Sequence, residues 1–339
     1  MSFGACSMSG VEPTCPTCTS FSPLIKTEKR GGLEYRIHRC PKCRTVFCPD
    51  HHSDCSPDYV GKNTQDINHT LLWCQGEHKL HAYKQLFNKL ETSGRPIRSL
   101  LDIGCGTGGF LDYAASKGVT LRYGYDASAA QAEVARERHP NTRQAVSLTD
   151  YLNDIQHYTD FDLITLWDVV EHLRAPRQLF ADIVSNCSRS AILFLSTPNA
   201  TSEYLKFQVK NTLGLTHTFV PWEHVIYFSR QALEQTASDF GFNVIFSGAA
   251  SCYRRPVTLA EVGRRFGYAL AAHTSLMPQL FLLCSGDQGP KELPHLGRTL
   301  QTPAQCRHQE RVGSGLPREP EKSESASRRK PPEIPGIPL

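Results

Sequence analysis

The sequence predicts an α/β fold with a doubly wound, mostly parallel, seven-stranded sheet. Short apolar segments alternate with segments of helical periodicity through residues 95–286, which is typical of parallel strands that helices cover on both faces. The clearest unit is residues 100–110, where an apolar strand runs into a glycine-rich turn and then a helix. We therefore expect ligands to bind beyond the carboxyl ends of these strands, where the strand order reverses.

The glycine-rich turn indicates a nucleoside cofactor. Gly104, Gly106 and Gly108 have no Cβ, so the backbone there can turn sharply and approach a ligand closely. The helix predicted after Gly108 presents unpaired N–H groups and the positive end of its dipole. Gly104, Gly106 and Gly109 also fit the G-x-G-x-x-G spacing of dinucleotide sites, so the glycines alone do not choose between the two kinds of ligand.

One acid favours S-adenosylmethionine over a dinucleotide, and a second acid fits either ligand. Asp102 lies two residues before the first glycine, where a carboxylate would repel a pyrophosphate but attract the ammonium group of a methionine. Asp126 follows the next predicted strand, residues 120–125, where an acid accepts hydrogen bonds from ribose hydroxyls. A glycine turn that binds nothing is the alternative, and the acids at both strand ends disfavour it.

The later elements continue the alternation. Apolar periodicity predicts a helix over residues 176–185. Ser229 is a typical N-cap of a further helix, and Gly241 ends that helix. The remaining strands are predicted at residues 161–166, 191–195, 242–246 and 280–283.

Several short segments within residues 95–286 resemble a known family. They are residues 101–108 (LDIGCGTG), 124–126 (GYD), 161–164 (FDLI), 168–173 (DVVEHL), 196–199 (STPN) and 222–225 (WEHV). With them, the chain resembles the ubiquinone-biosynthesis-like branch of class I S-adenosylmethionine-dependent methyltransferases. The resemblance implies a Rossmann-like methyltransferase fold and S-adenosylmethionine as cofactor. The implied cofactor contacts are Asp102, Gly104, Cys105, Gly106, Gly108, Asp126, Ala127, Trp167 and Asp168.

The candidate catalytic residues are His172, His224 and Glu171. Transfer of a methyl group from a sulfonium is an in-line displacement, so the protein mainly orients and deprotonates the acceptor. Either histidine could be the base, because both follow strands that end at the predicted site. For His172, a supporting or helix-capping role is an equally open alternative. Related quinone O-methyltransferases hold a divalent ion with an acid–acid–histidine group similar to Asp168, Glu171 and His172, but here the first acid is one methylene shorter. We therefore disfavour a divalent cation at these three residues.

The first residues predict a structural zinc site. Cys15 and Cys18 form one C-x-x-C motif, Cys40 and Cys43 form another, and four thiolates at this spacing can close a tetrahedral zinc site with no position left for water. Unbound thiols or a disulfide are the alternative, which the doubled motif disfavours. The module also resembles the N-terminal ribbon of some bacterial methyltransferases of this branch. A second cluster could bind another metal, although a solvated loop is preferred; it comprises Cys48, His51, His52 and Cys55.

The predicted organisation has four parts: a zinc-ribbon-like module (1–56), a helical connector or lid (57–94), the methyltransferase domain (95–286) and a disordered tail (287–339). On the connector helix, Lys84 and Lys89 are interpreted as a solvated face. Residues 258–272 can form a basic amphipathic helix, for which packing on the sheet is preferred over contact with a membrane surface.

Together these observations predict a cytoplasmic enzyme that methylates a small-molecule or glycan-type acceptor at oxygen. The sequence contains neither an apolar run of membrane-spanning length nor a secretory signal, and a net charge of +4 is too small to indicate nucleic acid by itself. Two alternatives remain open: an RNA methyltransferase that docks its substrate on the ribbon, and a non-catalytic scaffold that binds S-adenosylmethionine. The sequence does not indicate the oligomeric state.

Overall fold

Two β-sheets organise the part of the chain that the structure describes. The structure is a computed structural model, and it describes residues 13–50, 77–92, 94–155, 158, 160–250 and 279–286. In chain order the elements are β1 (Leu24–Arg30), β2 (Leu33–Arg39), β3 (Val46–Phe47), α1 (Glu77–Thr92), β4 (Ser99–Ile103), α2 (Gly109–Ser116), β5 (Leu121–Asp126), α3 (Ala129–Arg136), β6 (Thr142–Gln144), α4 (Leu148–Asp154), β7 (Leu163–Trp167), a 3₁₀ turn (Val170–His172), α5 (Pro176–Asn186), β8 (Ile192–Pro198), α6 (Ala200–Thr212), β9 (Ile226–Tyr227), α7 (Arg230–Asp239), β10 (Asn243–Ala250) and β11 (Gln279–Ser285).

The larger sheet has seven strands in the order β10-β11-β8-β7-β4-β5-β6. Strands β4 to β8 pair in parallel, whereas β11 pairs antiparallel with both β8 and β10. The chain winds one way from β4 to β6 and the other way from β7 onward, so the order reverses between β4 and β7. This confirms the predicted doubly wound, mostly parallel sheet and places a crevice at the carboxyl ends of these two strands.

Local sequence explains the main elements of this sheet. Strands β4 and β7 are buried along their whole length, as the continuous apolar runs predicted. Ser229 caps α7 as predicted, because its hydroxyl accepts the N–H of Ala232 at 3.0 Å, and Gly241 follows that helix with a φ of +83°. On α1, Lys84 and Lys89 are exposed as predicted.

One face of the large sheet is covered by an aromatic layer beneath α1. Tyr83, Phe87, Phe110, Trp167 and Phe194 are all buried there. The ring centroid of Trp167 lies 4.7 Å from that of Tyr83, 5.1 Å from that of Phe110 and 4.5 Å from that of Phe194. The helix is therefore held against the carboxyl half of the sheet, next to the crevice.

The smaller sheet joins the N-terminal cysteine module to the rest of the chain. Its order is β1-β2-β3-β9, so residues 13–50, here called the ribbon, pair with a strand that lies within the predicted methyltransferase domain. The register places Val46 opposite Tyr227 and Phe47 opposite Ile226. All described residues belong to one compact unit. The sheet of the ribbon is thus completed by β9, a strand from a later part of the chain.

Some predictions concern residues that the structure does not describe. His51, His52 and Cys55 of the second cluster, the helix at residues 258–272 and the tail at residues 287–339 lie outside the described residues. Among the helices that are described, none combines the length and apolar character needed to cross a membrane.

Candidate active site

The glycine turn lies at the carboxyl end of β4. Gly104, Gly106 and Gly108 have φ values of +69°, +54° and +86°, a region that L side chains rarely adopt. A Cβ on Gly104 would also lie only 2.6 Å from Cγ2 of Val169, in the turn after β7. The N–H of Gly104 donates to the carbonyl of Tyr125 at 2.8 Å and so closes the turn onto β5. Glycine is thus required here for its backbone conformation and also for close packing.

Asp102 is a buried acid at the start of this turn. Its carboxyl group is 2% exposed and accepts the hydroxyl hydrogen of Thr165 at 2.7 Å. Burial raises the pKa of Asp102 to about 7; the charge of Asp126 adds to the rise, while Thr165 and the charge of Lys79 oppose it. A cation placed beside this carboxyl group would stabilise its charged form.

Asp126 ends β5 and supports the turn from the other side. One carboxylate oxygen accepts the N–H of Gly106 at 2.9 Å, and the other accepts the N–H of Ser128 at 2.8 Å. Burial raises the pKa of Asp126, and these two hydrogen bonds oppose the rise. Ala127, the next residue, is half-buried, and its carbonyl accepts the side-chain amide of Gln144 at 3.3 Å.

The turn after β7 begins at Asp168, which has a φ of +57° although it is not glycine. Its carboxylate pairs with the ammonium of Lys79 and accepts hydrogen bonds from Gln279 and, at 2.8 Å, from Ser196. Burial alone would raise the pKa of Asp168, but the charge and hydrogen bonds around it outweigh burial and lower the pKa. Asp168 is therefore a charged carboxylate with a partner on each of its two oxygens.

Glu171 lies in the 3₁₀ turn and is fully buried. The hydroxyl of Thr197 donates to Oε2 at 3.0 Å, whereas Oε1 has no hydrogen-bond partner among the described residues. Burial, and next the charge of Asp168, raises the pKa of Glu171 well above its ordinary value. The raised pKa favours the protonated form of this carboxyl group, which can donate a hydrogen bond.

His172 and His224 lie side by side, with ring centroids 5.1 Å apart. Nδ1 of His172 is 2.6 Å from the carbonyl of Glu223, which can only accept, so Nδ1 carries the proton and Nε2 carries the lone pair. Burial lowers the pKa of His172, and it lowers that of His224 to about 4, with the charge of His172 adding to the effect. Both rings are therefore neutral near pH 7.

The structure groups the candidate metal ligands differently from the sequence-based hypothesis. Glu171, His172 and His224 each offer a ligand atom, and these atoms all lie within 4.8 Å of one another. Asp168 is not part of this group, because its left-handed backbone and its ion pair with Lys79 take its carboxylate elsewhere. Spacing of i, i+3 and i+4 implies convergence only on a regular helical turn, and here the turn is a short 3₁₀ segment.

The other predicted cofactor contacts lie near the turn with their side chains packed inward. Cys105 is 5% exposed, and its Cβ would lie 3.0 Å from a Cβ on Gly124. Trp167 is 9% exposed, and its indole N–H has no hydrogen-bond partner among the described residues. Both side chains belong to the buried core cluster that also contains Tyr83, Leu86 and Phe87 of α1.

Lys79 is a buried charged residue beside the site that sequence analysis missed. Its side chain is 8% exposed, and its ammonium lies 6.0 Å from the ring centroid of Trp167. The helical spacing of Lys79, Tyr83, Leu86 and Leu90 does place all four on one face, which is the buried one. This spacing could have identified Lys79 as a residue of the buried face. Its acidic partner was not apparent, because Asp168 lies 89 positions further along the chain.

The four predicted metal cysteines do come together in the ribbon. Their sulfur atoms all lie within 4.8 Å of one another, and the Sγ atoms of Cys15 and Cys43, like those of Cys18 and Cys40, are 3.4 Å apart. Hydrogen bonding from Cys15, opposed by burial, lowers the pKa of Cys43 to about 4, with Thr17 adding to the effect. Sulfur atoms at this spacing, with a thiolate among them, fit a tetrahedral zinc ion.

Comparison with known proteins identifies relatives of the central part of the chain. A family model described as a methyltransferase domain matches residues 76–246, about half of the chain. The ubiquinone biosynthesis O-methyltransferase of Glaesserella parasuis serovar 5 (strain SH0165) is 28% identical over 133 residues, which cover 37% of this chain and 56% of that protein. The mitochondrial ubiquinone biosynthesis O-methyltransferase of Candida albicans is 31% identical over 107 residues, covering 30% of this chain and 32% of that protein. The chain thus spans about half the length of the first relative and about a third of the second.

Solved structures also resemble the chain. A SAM-dependent methyltransferase from Archaeoglobus fulgidus is 17% identical with a TM-score of 0.43, covering 66% of this chain and 100% of that one. The magnesium protoporphyrin IX methyltransferase of Synechocystis PCC 6803, solved with bound SAH, is 16% identical with a TM-score of 0.46, covering 67% of this chain and 96% of that one.

Proposed function

Because this chain belongs to the class I S-adenosylmethionine-dependent methyltransferases, we propose that it transfers a methyl group from S-adenosylmethionine to a hydroxyl oxygen of a small-molecule acceptor. The observation that carries the proposal is the neutral His172 ring at the carboxyl end of β7, whose tautomer is set by the carbonyl of Glu223. The names of the relatives, which describe O-methylation in ubiquinone biosynthesis, support oxygen as the methylated atom.

The residues around the glycine turn fit S-adenosylmethionine. The buried carboxyl group of Asp102 is suited to the ammonium of the methionine moiety, because a cation there would stabilise its charged form. Asp126 is suited to the ribose hydroxyls, since each of its oxygens has a second lone pair beyond its hydrogen bond to the turn. The cofactor, when bound, supplies an electrophilic methyl group on sulfur.

The acceptor side of the site would be provided by the histidine pair. Nε2 of His172 takes the hydroxyl proton of the acceptor as the oxygen attacks the methyl group, and Nδ1 stays bonded to the carbonyl of Glu223. His224 faces the same space and shapes it. The raised pKa of the buried Glu171 favours its protonated form, which can donate a hydrogen bond there. A divalent cation held by Glu171, His172 and His224 is the alternative activator.

We also infer that the four ribbon cysteines hold a structural zinc ion. The inference is supported by the four clustered sulfur atoms, which all lie within 4.8 Å of one another. Zinc at this position would take no part in methyl transfer, because all four coordination positions are filled by the protein.

The proposal is tested with labelled S-adenosylmethionine and a panel of catechols, hydroxylated quinone precursors and nucleotide sugars. Once an acceptor is found, His172→Ala should lower turnover by ~10²–10⁴-fold, while calorimetry shows nearly unchanged affinity for the cofactor. His224→Ala should have a smaller effect. Full turnover in His172→Ala with loss in His224→Ala would move the base to His224.

Two further outcomes separate the alternatives. If both histidine variants remain active and removal of divalent cations abolishes turnover, with the zinc content of the protein unchanged, a bound cation activates the acceptor. If the wild-type protein binds S-adenosylmethionine but methylates nothing in the panel, and binds RNA with a steep dependence on salt, the acceptor is a nucleic acid.

A further inference from the structure

We infer that the ribbon positions the acceptor side of the active site, by holding the segment of residues 217–229 that carries His224 against the turn of Glu171 and His172. The inference rests on the proposed function for the role of the two histidines. It extends that function because the ribbon would position the residues that contact the methyl acceptor.

The first support is a continuous path of backbone hydrogen bonds. The N–H of Cys48, just after β3, donates to the carbonyl of Val225 at 2.9 Å. The N–H of Val225 in turn donates to the carbonyl of Glu171 at 2.9 Å. Val225, the residue next to His224, is therefore bonded to the ribbon on one side and to the catalytic turn on the other. The pairing of β3 with β9 continues this contact over the next two residues.

The second support is a set of side-chain contacts from β1 and β2 to the residues before His224. A carboxylate oxygen of Glu28 accepts the N–H of Phe219 at 3.0 Å, and the ammonium of Lys26 donates to the carbonyl of His217. The ring of Tyr35 packs edge-on against that of Trp222, with centroids 6.0 Å apart. The ribbon thus contacts this segment on both sides of His224.

The third support links the cysteine site itself to these contacts. The carbonyl of Cys43 accepts the hydroxyl hydrogen of Ser229, the residue that caps α7. Strand β3 begins three residues after Cys43, so the position of this ligand fixes the start of the strand. The side chains of Asp102 and Asp126, by contrast, are held by groups of the large sheet and its glycine turn. Disturbing the ribbon should therefore affect methyl transfer more than cofactor binding.

Two matched pairs of full-length variants test the inference. Cys48→Pro removes the N–H that reaches Val225, whereas Cys48→Ala keeps it. Glu28→Ala removes the acceptor of the Phe219 N–H, whereas Glu34→Ala removes an exposed carboxylate of the same hairpin that pairs across it with Lys29. The measurements are hydrogen exchange at the Val225 amide, affinity for S-adenosylmethionine and turnover with an identified acceptor.

In Cys48→Pro and Glu28→Ala we expect the Val225 amide to exchange at least about ten-fold faster, turnover to fall at least about ten-fold and cofactor affinity to stay within about two-fold of wild type. The two controls should match wild type in all three measurements. Unchanged exchange in both test variants overturns the inference, as does faster exchange with unchanged turnover. If Cys48→Pro does not fold, the Glu28 pair decides. If no acceptor is found, hydrogen exchange and cofactor affinity still test the contact between the ribbon and Val225. A failure of the proposed function can therefore be distinguished from a failure of this inference.

Discussion

The affinity for the cofactor should depend on pH through the carboxyl group of Asp102. This group is 2% exposed and has a pKa of about 7, so it is largely protonated in mildly acidic solution when no ligand is bound. Only the carboxylate can pair with the ammonium of the cofactor, and that pairing would lower its pKa in the complex. Binding must therefore weaken as the pH falls below about 7.

The size of this pH dependence follows from the pKa of Asp102. With a pKa of about 7 in the free protein and a much lower one in the complex, the apparent Kd rises by a factor of 1 + 10^(7 − pH). The factor is about 11 at pH 6 and about 100 at pH 5, or roughly 1.4 and 2.7 kcal/mol of binding free energy. An Asp102 with its ordinary pKa of about 3.9 would give almost no change over this range.

The assay is calorimetry with S-adenosylhomocysteine, which keeps the ammonium group but has no reactive methyl group. Titrations between pH 5 and 7 avoid the range in which an α-amino group itself titrates, about 7.7–8. Circular dichroism confirms that the protein stays folded across the series. Asp102→Asn should bind more weakly and lose the pH dependence, since it has no proton to release.

Asp126→Asn is the matched control. It replaces the other buried acid, whose pKa is also raised, and it should weaken binding but keep a pH dependence. That dependence should move to lower pH, because the charge of Asp126 adds to the raised pKa of Asp102. A flat affinity for the wild-type protein between pH 5 and 7 would refute the assignment of the ammonium to Asp102. A pH dependence that survives in Asp102→Asn but disappears in Asp126→Asn would instead assign the titrating group to Asp126.

Three further predictions concern stability and metal content. Lys79→Met should lower the free energy of unfolding by about 1–3 kcal/mol, because it leaves the half-buried carboxylate of Asp168 without its counter-charge. The control, Lys84→Met at an exposed position of the same helix, should change it by less than about 0.5 kcal/mol. Urea unfolding measures both variants, and equal losses of stability would contradict the role of the ion pair. Gly104→Ala and Gly118→Ala both place a side chain at a positive φ, but only a Cβ at Gly104 would meet another atom, Cγ2 of Val169 at 2.6 Å. Gly104→Ala should therefore lower the melting temperature more than Gly118→Ala does, and it should also impair cofactor binding. The purified protein should contain about one zinc per chain by elemental analysis and lose it in Cys40→Ser; zinc-free protein prepared without chelator would exclude the zinc site.

Sequence patterns predicted the central strands of the large sheet because these strands are continuous apolar runs, whereas β6, with the three residues Thr142–Gln144, was not predicted. Strands β4 and β7 are buried on both faces, and such continuous runs leave few alternative interpretations. The turn at Gly104 was likewise predictable, since its backbone conformation excludes other residues. The four ribbon cysteines were identified as one group from their spacing alone, and the structure does bring them together.

The features that the sequence did not predict depend on long-range contacts. Strands β3 and β9 have two residues each, which is too short for any periodicity to appear. The left-handed backbone of Asp168 redirects its carboxylate away from Glu171 and His172, and nothing in an Asp-x-x-Glu-His pattern signals this for a residue other than glycine. The raised pKa of Glu171 follows first from complete burial, which depends on the packing of distant elements.

The pairing of Phe47 with Ile226 also has a consequence for biosynthesis. The ribbon emerges from the ribosome before the large sheet, but the strand that completes its own sheet is separated from it by most of the large sheet. At roughly 5–20 residues per second, the hydrogen-bonding edge of β3 waits on the order of ten seconds or more for its partner. During that interval the nascent chain carries an exposed strand edge, which invites pairing with other chains. Chaperone supply and translation speed should therefore influence the yield of folded protein more strongly than the modest size of the ribbon would suggest.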